Sequence, residues 1–161
     1  KIDSLPLDSF NKSVNFQDLL AEYSKYKQKI LEINSKFIIY LASKIKFLNF
    51  FQPINIFLLD HKKNYEFSLF NGFKETNNNN HDISMHSESL FFIFKNDFGY
   101  DTLTVNGCFN APKEGFIKST RSFAIGSLNS MGLKVNFNLI FNLKLVSFFF
   151  SLLRKVSKKL K

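Results

Sequence analysis

The chain has 161 residues with a hydrophobic fraction of 45%, enough to build one core and too short for two domains of ordinary size. Its net charge of +9 sits at one end: residues 1–114 carry 13 basic and 13 acidic side chains, whereas residues 115–161 carry 9 basic and no acidic ones. That asymmetry points to a polyanionic surface or partner, and the single cysteine, Cys108, excludes an internal disulfide and suits a reducing, cytoplasmic setting.

The apolar content is weighted towards one residue type, with 22 Phe, no Trp and 2 Met, so bulk is supplied without polar atoms. The opening stretch, Lys1 to Phe10, has no apolar run of signal-peptide length and reads as a loop. With no initiator Met, it suggests the C-terminal domain of a longer protein. From Asn15 to Asn49 there is no Gly or Pro, and Phe16, Leu20, Tyr23, Tyr26, Ile30, Ile33, Phe37, Leu41, Ile45 and Leu48 recur at helical spacing. This predicts one long helix, or two broken near Asn34-Ser35, packed on a sheet. After Pro53 the period changes to two. Ile54, Ile56 and Leu58 form one strand, and Tyr65, Phe67 and Leu69 a second. Asn71-Gly72 then predicts a type I′ hairpin, and Asn77 to Asn80 mark an exposed loop.

Asp82 to Met85 reads as a short strand leading into a helix from Ser87 to Asn96. Ser87 is the expected N-cap, Leu90, Phe91 and Phe94 share one face, and Gly99 is the expected terminator. Thr102 to Val105 is predicted to return as a strand, ending in a second Asn-Gly pair at 106–107. Residues 117–131 read as a helix with Phe123 and Leu128 inward. The segment 134–145 fits strand and helix equally. Residues 145–161 are expected to form a basic, Phe-rich terminal helix. The fold class is therefore α+β: a long N-terminal helix, an antiparallel β-meander with helices on one face, and a C-terminal helix, as a single domain over residues 1–161.

The strings INIFLLD, NYEFSLFNG, HDISMHSESLFFIFKNDFG and DTLTVNGCF, in that order, are similar to sterol-carrier-like domains. The resemblance covers about a third of the chain. It implies a meandering sheet with helices over one face around an apolar tunnel, and no catalytic residue. Similar domains also end larger hydrolases, including some of metallo-β-lactamase fold, which would make an upstream part of the same chain the partner.

No catalytic constellation is legible. His61, His81 and His86 lack ligand spacing and Cys-x-x-Cys is absent, so no metal is expected, although Asp60-His61 can approach His81, Asp82 and His86 in space. Cys108 has no guaranteed activator. A Gly-x-Ser-x-Gly elbow and phosphate-binding Gly motifs are also missing, so no cofactor is expected. Nucleic acid is a weaker partner than lipid, because Arg121 and Arg154 are the only arginines.

The tail has more specific content. Phe148, Phe149 and Leu152 belong to an apolar block, followed by the cations Arg154, Lys155, Lys158 and Lys159, a pattern suited to an anionic membrane surface. A span over 135–153 is disfavoured by Lys144 and three Asn. The leading expectation is a non-enzymatic domain that binds an apolar small molecule or lipid, lined by Phe67, Leu69, Phe91, Phe94, Leu103 and Val105. The alternatives are the terminal part of a metal-dependent hydrolase whose catalytic residues lie upstream, and a nucleic-acid-binding domain.

Overall fold

The computed structural model describes residues 13–44 and 50–138. Helix α1 (Phe16–Ile33) starts at Asn15, whose side-chain oxygen accepts the Asp18 N–H at 2.9 Å while its amide donates to the Asp18 carboxylate at 2.8 Å. Asn15 thus caps the helix while the Asp18 carboxylate holds the capping side chain in place, and the acid also sits where the helix dipole favours it. Helix α2 (Lys36–Lys44) follows after extended backbone at Asn34, so the break falls at Asn34-Ser35. That break shifts the helical phase. In α1 the inward residues are Leu19, Tyr23, Tyr26 and Ile30, whereas in α2 Ile38 and Ile39 are buried and the expected Phe37 and Leu41 stand 63% and 50% exposed.

The sheet has the order β3 (Gly72–Thr76), β2 (Lys63–Ser68), β1 (Ile54–Leu58), β4 (Ile83–Met85) and β5 (Phe109–Asn110). Strands β1, β2 and β3 form the expected antiparallel meander, with Ile54 opposite Phe67 and Phe67 opposite Phe73. Strand β4 lies parallel to β1, which makes the sheet mixed. The β2–β3 connection differs from a type I′ turn. A three-residue loop carries Leu69, Phe70 and Asn71, Gly72 has φ +102°, and Asn71 is not in the positive-φ region. The Ser68 hydroxyl accepts the Asn71 N–H at 3.1 Å and holds this loop, so no second left-handed residue is required.

Helix α3 (Ser87–Lys95) occupies the expected range, but its N-cap is His86, because the Ser87 hydroxyl is engaged elsewhere. The expected strand at 102–105 is instead helix α4 (Gly99–Asn106), and Gly99 opens this helix rather than closing α3. The β-branched Thr102, Thr104 and Val105 suit a strand, yet Tyr100 and Leu103 are spaced i, i+3 and both are buried. Tyr100 then fixes the helix by hydrogen bonds to Ser119 and Thr120 at 2.9 and 3.0 Å, so tertiary contacts override β-propensity. Gly107 is the left-handed C-cap of α4, not a hairpin glycine. The returning strand does exist, further along the chain, as β5 (Phe109–Asn110) beside β4.

Helix α5 (Lys113–Ser130) begins four residues before the expected start and buries Phe123, while Leu128 is only partly buried. Its inward stripe is small: Gly115, Ser119 and Ser122 let the helix lie close to the sheet, and the Ser122 hydroxyl donates to Gln52 O at 2.8 Å. Helices α1, α3 and α5 cover one face, where Phe67 stacks on Phe123 at 4.7 Å and on Phe94 at 5.7 Å. Such aromatic contacts add to the burial of the rings themselves. The terminal helix expected at 145–161 lies outside the described residues, as does most of 134–145. Among the described residues no helix is long and apolar enough to cross a membrane.

Candidate functional site

The six side chains expected to line an apolar pocket do not converge on one space. Phe67, Leu69, Phe94 and Leu103 are core residues, with Phe67 1% and Leu69 2% exposed. Phe91 is partly buried and borders an open hollow of about 400 Å³ shared with Val14, Asp18 and Glu22. Val105, displaced by the helical turn of α4, is 85% exposed. Phe94 borders a second hollow of about 100 Å³ beside Tyr26 and Ile30, smaller than the several hundred Å³ usual for ligand sites. The space between helices and sheet beside Phe67 is filled by aromatic rings. The tail residues Phe148, Phe149, Leu152, Arg154, Lys155, Lys158 and Lys159 lie outside the described residues.

Two polar clusters bring titratable groups together. In the first, Asp60 in the β1–β2 turn accepts the Ser87 N–H at 2.9 Å, the Ser87 hydroxyl at 2.5 Å and the Ser13 hydroxyl at 2.7 Å. Burial pushes its carboxyl up, but these hydrogen bonds outweigh burial and hold it at about 2. His61 and His86 place Nε2 atoms 3.7 and 3.9 Å from Asp60. His61 donates from Nε2 to the Val14 carbonyl at 2.8 Å, and its Nδ1 pairs with the Tyr65 hydroxyl at 2.9 Å. With both nitrogens of the His61 ring engaged and the Ser87 side chain fully buried, this group has neither a free base at His61 nor an accessible nucleophile. It pins the entry to α1, the β1–β2 turn and the start of α3 together.

The second cluster is Asp82, which accepts from Lys118 at 2.7 Å and from the Asn55 N–H at 2.8 Å. His81 stacks on Phe57, with ring centroids 5.4 Å apart. Of the anticipated grouping, then, Asp60, His61 and His86 meet, while His81 and Asp82 sit apart from them with partners of their own. Cys108 is partly buried beside the α4 cap, its sulfur 3.8 Å from the Asn106 carbonyl. Among the described residues no group of three His, Cys, Asp or Glu side chains is arranged to hold a metal ion. Elemental analysis after dialysis is expected to find far less than one zinc or iron per chain.

Two features lie outside the expectations drawn from the sequence. Asn34 and Asn129 exchange amide hydrogen bonds of 2.7 and 2.9 Å, and Asn34 also accepts the Val135 N–H at 2.7 Å and donates to Ile30 O at 2.8 Å. This buried clasp, completed by Ser35 N–H to Val135 O at 2.8 Å, draws the chain after α5 across the α1–α2 break. The second feature is the outer face of α2. Phe37, Tyr40 and Leu41 are at least half exposed, and Phe137, 53% exposed, stacks on Phe37 at 6.4 Å. A signal for it was present, since KFIIYLASK is apolar on both sides and contains no acid. Comparison with protein-family models, with curated proteins and with solved structures finds no match to this chain.

Proposed function

We propose that the chain is a non-enzymatic lipid-binding module, an accessory domain that meets lipid at its surface and recognises anionic headgroups. The observation that carries this reading is a coincidence at Phe137. The clasp brings the chain to the surface at Phe137, beside exposed apolar side chains, within the region from Gly115 onward that contains nine cations and no acid. The segment Leu145 to Lys161 then offers Phe148, Phe149 and Leu152 to the acyl boundary and Arg154, Lys155, Lys158 and Lys159 to the headgroups. The filled interior beside Phe67 favours contact at the surface over a chain buried within.

Each cation close to an anionic surface contributes about 1 kcal/mol before screening, so the tail alone supplies a few kcal/mol. Sedimentation with phosphatidylcholine vesicles, with and without phosphatidylserine, tests the reading. The full chain is expected to bind only the anionic vesicles at low salt. Binding that persists at high salt and is lost in Phe149→Ser means insertion, and binding that disappears with salt regardless of Phe149 means charge alone. Equal behaviour with both vesicle types at low salt would remove the lipid reading.

A further inference from the structure

We infer that the outer face of α2 is a second lipid-contact surface, lying on the same anionic membrane as the C-terminal tail. The inference rests on the lipid reading above and adds a place in the fold where lipid touches the described domain. Three independent observations support it.

The first is the shape of the face. Phe37, Tyr40 and Leu41 are spaced i, i+3, i+4, so they form one patch, and they are 63%, 51% and 50% exposed. Helix α2 already buries Ile38 and Ile39 on its inner side, so this outer patch is surplus to the core. The second is charge. Lys36 and Lys44 stand at the two ends of the same exposed strip, with the Lys44 ammonium 5.1 Å above the Tyr40 ring, and the helix has no acidic residue. Apolar and aromatic side chains bracketed by lysines match the boundary between acyl chains and anionic headgroups.

The third observation is continuity with the basic region. Asn34, buried to 6% exposure, ties the α1–α2 break to Asn129 and to Val135, and two residues later Phe137 lies against Phe37. The acid-free region therefore reaches the edge of the α2 patch at Phe137. The tail follows a few residues further along the sequence, so a surface that attracts it is held close to the patch. Two weak contacts on a short connection bind far more tightly together than either alone.

The chain contains no Trp, so Tyr40→Trp creates a single reporter inside the patch. Its emission is expected to shift to the blue when phosphatidylserine-containing vesicles are added to the full chain, and to be quenched by brominated acyl chains. Phe116→Trp is the control. Phe116 is 38% exposed and packs on Phe109 of β5, at the opposite edge of the sheet from β3, and its reporter should not respond. Lys36→Gln combined with Lys44→Gln should weaken vesicle binding roughly tenfold while leaving the circular dichroism spectrum unchanged. Sedimentation of the Tyr40→Trp variant with no change in its emission would overturn the α2 surface and leave the lipid reading intact. Failure of the unmodified chain to sediment would remove both. An emission shift in that variant that follows protein concentration without vesicles would show a second copy covering the face and would also overturn the inference.

Discussion

Gly115→Ala is expected to destabilise the domain by about 3 kcal/mol or more, at or past the upper end of ordinary overpacking. A β-carbon placed at Gly115 would overlap the Asp82 carbonyl oxygen and lie 2.7 Å from the carbonyl carbon. Both atoms are backbone. Asp82 is held by its own N–H to Asn55 O at 2.8 Å and by the Asn55 N–H and Lys118 on its carboxylate. Neither side can yield without lifting α5 from the sheet or breaking the start of β4, so a higher helix propensity, worth about 1 kcal/mol for Gly to Ala, cannot compensate. Two other glycines calibrate the experiment. At Gly126 the added carbon would sit 3.4 Å from the Tyr26 hydroxyl, a contact that can relax, and the same substitution should be close to neutral. Gly132 has φ +78° with open space around it, so alanine there meets only left-handed backbone strain of about 1–2 kcal/mol. Denaturant midpoints should rank Gly115→Ala far below the other two. A Gly115 variant as stable as the Gly126 variant would mean that α5 does not sit at this distance from the sheet.

Where the sequence was readable, the deciding interactions were local or periodic. Ile54, Ile56 and Leu58 alternate because one face of β1 is buried, and the structure has all three at 0% exposure. The break at Asn34-Ser35 and the range of α3 likewise follow from short-range patterns. Where reading failed, a distant partner decided. Thr102 to Val105 carries strand-forming residues, but Tyr100 finds Ser119 and Thr120 on α5, and those hydroxyls are invisible in a local window. Ser87 has the residue type of a cap, but Asp60, 27 positions away, takes its hydroxyl and its N–H. The pocket residues illustrate the same limit. Facing predicts that Phe67 and Phe94 point inward, which they do, but only the positions of Phe123 and Tyr26 reveal that rings occupy the space between them. The α2 patch escapes such a reading because a single helical stripe, extended through the break, ignores the change of phase there.

Asp60→Ala is expected to cost about 2–3 kcal/mol, and the loss should depend on pH in a defined direction. The carboxylate accepts three hydrogen bonds, from Ser13 and twice from Ser87, and it lies at the first turn of α3, where negative charge is favoured. Hydrogen bonds to a charged acceptor contribute about 1.5–3 kcal/mol, and removing the acceptor strands the buried Ser87 donors. In the folded chain burial disfavours the charged form, but the donors more than offset it and hold the carboxyl at about 2, below the unfolded value of 3.8. A group with a depressed folded value contributes stability that is fully present above the unfolded value and is lost as pH falls through the folded one. The stability difference between wild type and Asp60→Asn should therefore be constant above about pH 4 and shrink steadily between about 4 and 2. Asn keeps the shape and one acceptor oxygen but cannot carry the charge, so this pair isolates ionisation from packing. Urea titrations of both proteins at a series of pH values measure the difference directly. A difference that stays level down to about pH 2 would mean that Asp60 is not the charged hub joining Ser13, the β1–β2 turn and α3.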